Sequence, residues 1–384
     1  MAQRVEGLLV LLLAALCAGV PHPPAPHPHH LHHHQHVAGG KCSQCPHHSD
    51  VIATSRFQHN TPTHGPYDTW TAMEAFHATR MDWVYTTNAT FVAEAHRRGL
   101  ELTVAINPQT ADGPGKTSHE VGRVLNIHGE PLVAPWMRGW SKPWSNYGCI
   151  NNPDFLKIQY AFASSLLETG TGGIQHDDPG ANGEAVTWNE GDPVLSGCYC
   201  EHCMSGFTAA LMSGALSEPE RAQYNISDAF NYRQLLLQQP WNSSSKLVQV
   251  LRPLFVTYQQ NVTEKYITGL KEHMDAKAAE LGRSTSLSCN NGGEWQTPYF
   301  LCDYGLGELS IGSTTPAGLE AVFTTSPPAG KMQVMTMPKT SNVSLTQSPA
   351  FTTLVRTAIA FAYSLGGHMM APWDIYMPGT HAPR

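Results

Sequence analysis

The chain has 384 residues, with 23 Lys+Arg against 30 Asp+Glu and a formal net charge of −7 when histidine is neutral. Only 14% of it is charged, a poor match to a phosphate backbone, while 41% hydrophobic content excludes a disordered chain. The roughly 335 residues after the leader can bury about three quarters of their unfolded surface, which is ample for one large core and unlike a coiled coil or a small disulfide scaffold.

Arg4 precedes an apolar run, Leu8 to Ala18, closed by the small residues Cys17, Ala18 and Gly19. The run is too short to span a bilayer, and residues 1–19 read as a secretory signal peptide. Nothing later in the chain is long and apolar enough to span a membrane. A mature protein in the secretory lumen or outside the cell, with no membrane partner, is therefore expected. Residues 20–48 form a His/Pro-rich linker that holds ten of the 21 histidines. Imidazoles in such a tract bind metal incidentally, and no chemistry is expected of them. Five sequons, at Asn88, Asn225, Asn242, Asn261 and Asn342, fit the secretory route.

Residues 49–384 read as a single (β/α)8 barrel of the α/β class. Strands are expected at 51–57, 81–86, 102–106 and 172–177. Helices fall between them near 67–78, after the capping-type Asn88, and over 154–169. A long excursion leads to a strongly helical segment over 247–281. Further strands follow at 285–289, 307–311, 332–337 and 368–373, with a helix over 350–365 before the last. Eight strands with intervening helices is the barrel count, and no glycine-rich phosphate loop after strand one favours an open doubly wound sheet. Arg384 comes about ten residues after strand eight, too soon for an eighth helix. A fragment, or a barrel closed without that helix, is expected, and the apolar surface left uncovered favours the fragment.

Barrel enzymes draw their chemistry from the carboxyl ends of the strands. Those ends carry Arg56 and His59 (strand one), Tyr85 (two), Asn107 (three), Asp177 and Asp178 (four), Asn290 with Trp295 beyond it (five), Lys339 (seven), and Trp373 with Asp374 (eight). Glu308 and Asp303 flank the expected start of strand six. Acids, amides and a few cations suit a neutral, hydroxyl-rich ligand. Trp136, Trp140, Trp144, Trp188, Trp295, Tyr299 and Trp373 lie on the loops, where aromatic rings either stack on sugar faces or anchor the loop.

The sharpest motif is Gly172-Gly-Ile-Gln-His-Asp-Asp-Pro179. Strand alternation puts Ile174 and His176 against the helices and Asp177 toward the barrel axis. At this motif the chain resembles barrel glycoside hydrolases, several families of which carry a catalytic Asp at the end of strand four. The resemblance spans the barrel in outline, but at motif level it is confined to this strand and to Gly307-Glu308. It implies Asp177 as nucleophile or base. By the α-galactosidase-like pattern it implies Glu308 on strand six as the acid, and by the α-amylase-like pattern Glu294 is a poorer match. Asp178 is expected to support the pair or to bind a substrate hydroxyl. The remaining strand-end residues (Arg56, His59, Tyr85, Asn107, Asn290, Trp295, Lys339, Trp373 and Asp374) are expected to bind substrate. The implied activity is cleavage of O-glycosidic bonds in an oligo- or polysaccharide by two carboxylates without an organic cofactor. A non-catalytic carbohydrate-binding barrel is the second reading. The third is a metal-dependent hydrolase using His59, His176, Asp177 and Asp374, and it is weakened by the outward face expected for His176.

Eight cysteines remain after the leader. Cys198, Cys200 and Cys203 crowd one loop with the density of a metal knuckle, and zinc there would need a fourth ligand such as His202 or a distant residue. Similar-looking clusters are structural in some barrel β-galactosidase-like proteins. An oxidising compartment favours disulfides instead, Cys200–Cys203 or pairs to Cys42 and Cys45. On either reading the loop is a structural staple.

Overall fold

A computed structural model describes residues 42–54, 68–108, 120–140, 145–239, 241–309, 311–326, 330–336 and 348–372. The leader, most of the His/Pro-rich segment, Arg56, His59, Lys339, Trp373 and Asp374 lie outside the described residues.

Eight parallel strands close into a barrel in sequence order: β1 (Ile52–Thr54), β2 (Arg80–Val84), β3 (Glu101–Ile106), β4 (Gly173–His176), β5 (Ser286–Cys289), β6 (Tyr304–Gly307), β7 (Gln333–Thr336) and β8 (His368–Pro372). The last pairing, Ile52 with Met370, joins β1 to β8 and leaves no free edge. Helices α1 (Thr69–Ala75), α2 (Ala89–Arg97) and α3 (Pro153–Glu168) follow the first three strands. Local chemistry sets their starts. Asn88 accepts the amides of Thr90 and Phe91, and Asn152 those of Asp154 and Phe155, with Pro153 in the first turn.

The excursion after β4 folds as α4 (Ala181–Ala185), α5 (Glu201–Ala210), α6 (Glu218–Tyr224), α7 (Tyr232–Gln238) and the 35-residue α8 (Lys246–Glu280). Among the described residues two shorter helices follow, α9 (Pro316–Phe323) and α10 (Pro349–Ser364). Helix α8 serves two cores. Its second half packs Ile267, Leu270 and Met274 onto the barrel's outer face, against Leu102, Val104, Ile106, Ile174 and Leu287. Its first half gives Val248, Leu251 and Phe255 to a separate core with Tyr147, Trp188, Cys198 and Phe207. That second core belongs to the long loops after β3 and β4, and so it fixes them over one side of the barrel mouth.

One strand differs from the sequence reading. The sequence suggests a strand over 307–311, but β6 begins at Tyr304, and Ile311 sits part-exposed in a single 3-10 turn. Close packing decides it: a Cβ on Gly305 would fall 2.5 Å from Asn291 Nδ2 and 2.6 Å from Gln333 Oε1, so β6 lies where only glycine fits. Glu308 consequently moves from the start of a strand to just past its carboxyl end.

Inside the barrel, Arg80 pairs with Asp82 (Nε to Oδ1, 2.7 Å), and both side chains are sealed from solvent. Thr103 donates to Asp82 at 2.9 Å, and Tyr304 donates to its second oxygen at 3.1 Å. Both oxygens of the buried carboxylate thereby have partners, the condition under which an interior ion pair is tolerated.

Candidate active site

The ladders of β3, β4 and β5 end in register, Ile106 opposite His176 and His176 opposite Cys289. Each next residue continues the ladder, the Asp177 amide donating to Ile106 O at 2.8 Å and the Asn290 amide to His176 O at 3.0 Å. Residues 107, 177 and 290 therefore emerge side by side at the carboxyl end of the barrel. The Asp177 carboxylate accepts from Tyr85 Oη at 2.5 Å on one oxygen and from Asn290 Nδ2 at 2.9 Å on the other. A part-buried carboxylate with a separate donor on each oxygen is fixed in orientation. Asn107 serves the frame through its carbonyl, which accepts from Gln159 at 3.1 Å.

His176 points the other way, as strand alternation requires. Its Nε2 meets Tyr266 Oη of α8 at 2.8 Å and its Nδ1 the Asp177 carbonyl at 3.0 Å. Complete burial lowers its pKa to about 4. It is a neutral core histidine facing away from the barrel mouth, which removes one ligand from the metal-hydrolase reading.

Past Asp177 the chain turns sharply. Asp178 has φ 57°, in the left-handed region that Asp tolerates better than most residues, and its carbonyl accepts from Tyr147 Oη at 3.3 Å. The turn leads into α4, which is pinned to α8 by Gly183 N–H to Thr263 Oγ1 (2.9 Å) and Thr263 Oγ1 to Gly180 O (3.1 Å). Glu184 sits on this short helix. Its carboxylate folds back over Gly180, where a Cβ would fall 2.5 Å from Glu184 Oε2.

Sequence reasoning passed over Glu184, seven residues beyond Asp177. Burial raises its pKa to about 7, the neighbouring Asp177 charge adds to the rise, and the Trp188 indole opposes it. The field of the cluster is felt by its phenols. Tyr147 is pushed well up by burial and then by the charges of Glu184 and Asp178. Tyr299 is pushed up by burial and then by Glu184, Glu294 and Asp178. The mouth beyond β4 and β5 thus gathers Asp177, Asp178, Glu184 and Glu294 among Tyr85, Tyr147 and Tyr299. A signal for Glu184 was present in the sequence, since Gly180-Ala-Asn-Gly-Glu184 offers small residues around one acid immediately after the strand-four motif.

The other expected residues scatter more widely. Glu308 is exposed one residue beyond β6, at the same end of the barrel but two strands from β4. Asp303 lies at the opposite end, accepting the Leu287 amide at 2.8 Å and facing Lys271 at 3.5 Å, a structural role. Glu294 is exposed and accepts from Gln296 at 2.8 Å. Asn291 pairs amide to amide with Gln333, at 2.9 Å in both directions, and so holds the β5 loop. Among the loop aromatics Trp188 is buried and packs edge-on against Tyr147, a core role. Trp136, edge-on to Trp188, stays 49% exposed, and Trp295 is half-buried. The Trp140 side chain and Trp144 are outside the described residues.

The cysteines are sorted by position. Cys42 is joined to Cys45 and Cys289 to Cys302, while Cys149, Cys198, Cys200 and Cys203 remain buried thiols. Pairs between Cys42 or Cys45 and the 198–203 loop are ruled out by place. The first segment lies at the amino ends of the strands, where Gln44 O accepts from Ser286 Oγ at 3.3 Å, and the loop lies beyond the carboxyl ends. No Cys200–Cys203 bond forms either.

In sum of fold and site, the chain is a closed (β/α)8 barrel with a carboxylate cluster at the carboxyl ends of its strands. No family model and no curated protein matches the chain. Its fold is similar to that of solved glycoside hydrolases. Ega3 of Aspergillus fumigatus, solved with galactosamine, is 10% identical over 85% of this chain and 92% of its own, with a TM-score of 0.46. The glycoside hydrolase domain of PelA from Pseudomonas aeruginosa (variant E218A) is 11% identical over 84% and 94%, with a TM-score of 0.42. A cycloalternan-degrading enzyme from Trueperella pyogenes is 11% identical over 90% of this chain but 45% of its own, at 0.45.

Proposed function

We infer that the protein is a secreted glycoside hydrolase that cleaves O-glycosidic bonds of an oligo- or polysaccharide. In this reading Asp177 is the ionised partner and Glu184 the proton donor. The observation that carries it is the contrast between two neighbouring carboxyls on one barrel rim. One accepts a hydrogen bond on each oxygen; the other is raised to about 7 by burial and by the first one's charge. Glycoside hydrolysis needs one carboxylate and one carboxylic acid, and environments that push such a pair apart mark the division of labour.

The Glu184 acid gives its proton to the departing glycosidic oxygen. Asp177 acts on the other face of the sugar, as nucleophile or as base to a water. Tyr85 and Asn290 keep its carboxylate aimed while charge moves off it. Asp178 and Glu294 offer acceptors to sugar hydroxyls, and the exposed face of Trp136 offers a stacking surface at the rim. The α-galactosidase-like pattern implies Glu308 as the acid, but an exposed carboxyl lacks the burial that raises the Glu184 pKa to about 7. The leader, the sequons and two disulfides support the secretory location.

Turnover of α- and β-aryl glycosides and of polysaccharides by the wild type, Asp177→Asn, Glu184→Gln and Glu308→Gln tests this assignment. Activity abolished by the first two changes and retained by the third is the expected pattern. Activity that survives Asp177→Asn overturns the site, and glycan binding without turnover by any form replaces the enzyme with a sugar-binding barrel.

A further inference from the structure

Beyond the barrel mouth, four cysteine sulfurs from two distant parts of the chain converge in the second core. Cys149 ends the loop that leads into α3, while Cys198, Cys200 and Cys203 span the approach to α5 and its first turn. All four are buried, and their sulfurs lie within 4.8 Å of one another. Cys149 Sγ is 3.7 Å from Cys200 Sγ and 3.6 Å from Cys203 Sγ. Four sulfurs about 2.3 Å from a common centre in a tetrahedron stand about 3.8 Å apart, whereas a disulfide requires about 2.05 Å. Two other cysteine pairs of this chain are closed as disulfides, and these four are not.

The surroundings are those of sulfur ligands rather than of an apolar thiol pocket. Asn182 Nδ2 donates to Cys149 Sγ at 3.3 Å and to Cys203 Sγ at 3.4 Å. The Leu125 amide donates to Cys198 Sγ at 3.4 Å, and Asn151 Nδ2 lies 3.8 Å from Cys203 Sγ. N–H donors aimed at ligating sulfurs orient them and spread the charge of a metal–thiolate centre.

We propose that Cys149, Cys198, Cys200 and Cys203 form a tetrathiolate site for one Zn²⁺. Binding replaces four S–H bonds by four Zn–S bonds and releases four protons, leaving a centre of net charge −2 that the N–H donors moderate. With four protein ligands no coordination position is open, so the ion is structural. It ties the loop after β3 to the loop after β4. Through Asn182, whose Oδ1 also accepts the Ile150 amide at 3.1 Å, it steadies α4. The site stands or falls independently of the glycosidase reading.

The test uses the full chain purified without chelator and then washed with imidazole, because the histidine-rich segment also binds zinc. Expected are one retained Zn²⁺ per chain and zinc-edge X-ray absorption fitting four sulfurs at about 2.3 Å. Exchange to Co²⁺ should give the visible bands of a tetrahedral ion with sulfur-to-cobalt charge transfer. A thiol-directed mercurial should release the ion, and Cys149→Ser should lose it. Alkylation after denaturation in chelator should find Cys149, Cys198, Cys200 and Cys203 as free thiols beside the two disulfides, with Cys17 a fifth where the leader is retained. Zinc held only by nitrogen ligands overturns the proposal. So do metal-free protein and peptides cross-linking Cys149 to Cys200 or Cys203. These readouts are made on the wild type and hold even where the variant fails to fold.

Discussion

Glu184→Gln separates the protonation state of this carboxyl from its shape. In the folded protein its pKa rises from 4.5 to about 7. Below pH 4.5 the folded and unfolded chains both hold the proton. Between 4.5 and about 7 only the folded chain does, so stability falls as pH rises and levels off above 7. The shift has a ceiling of about 3 kcal/mol, and the carboxyl's partial contact with solvent brings the expected loss to ~1–2 kcal/mol. Glutamine has the same shape and never ionises. The variant should therefore match the wild type near pH 4.5 and be ~1–2 kcal/mol more stable at pH 8.5. His176 and His368, both lowered to about 4 chiefly by burial, act in the opposite sense, adding stability as pH rises from 4 to 6.5. They are common to both proteins and cancel in the difference. Urea unfolding at half-unit steps from pH 4.5 to 8.5 measures it. The same substitution should lower kcat by ~10²–10⁴-fold, least for aryl glycosides whose leaving group needs no proton, and wild-type kcat/KM should fall above pH 7. Parallel stability curves would refute the reasoning, since an ordinary surface glutamate shows no such divergence.

Asp177→Asn should reduce turnover by at least ~10³-fold with little change in Tm, checked by kinetics beside thermal unfolding. Tyr85→Phe removes one of the two donors on Asp177 and should cost about tenfold in kcat/KM while leaving urea stability within about 1 kcal/mol. Gly180→Ala suits its backbone but puts a Cβ against the Glu184 carboxylate, so kcat should drop and the alkaline limb of the pH profile should move; an unchanged profile would count against the position of the acid. Arg80→Met strands Asp82 inside the barrel and should destabilise by ~3–5 kcal/mol in urea, far from any effect on substrate affinity.

The barrel was legible because its physics is local and repetitive. Short apolar runs alternate with capped helices, and Asn88 marks a helix start in sequence and structure alike. Strand alternation also sufficed to turn His176 toward the helices and Asp177 away from them. Strand six was misplaced because an apolar run does not say which of its residues a neighbour will crowd. The approach of Asn291 and Gln333 to Gly305 sets that register, one coming from the loop after β5 and the other from β7.

The sequence by itself determined the eight-strand count, the strand-four acid motif and the crowding of three cysteines in one loop. Tertiary structure decided which second carboxyl is buried beside Asp177 and which fourth cysteine lies near the other three. The Glu184 pKa rises only when the fold buries its carboxyl beside Asp177. Cys149 meets Cys200 and Cys203 only when the loop after β3 folds under the loop after β4. A pKa and a sulfur–sulfur distance are properties of neighbours brought from far along the chain, and spacing in sequence carries neither.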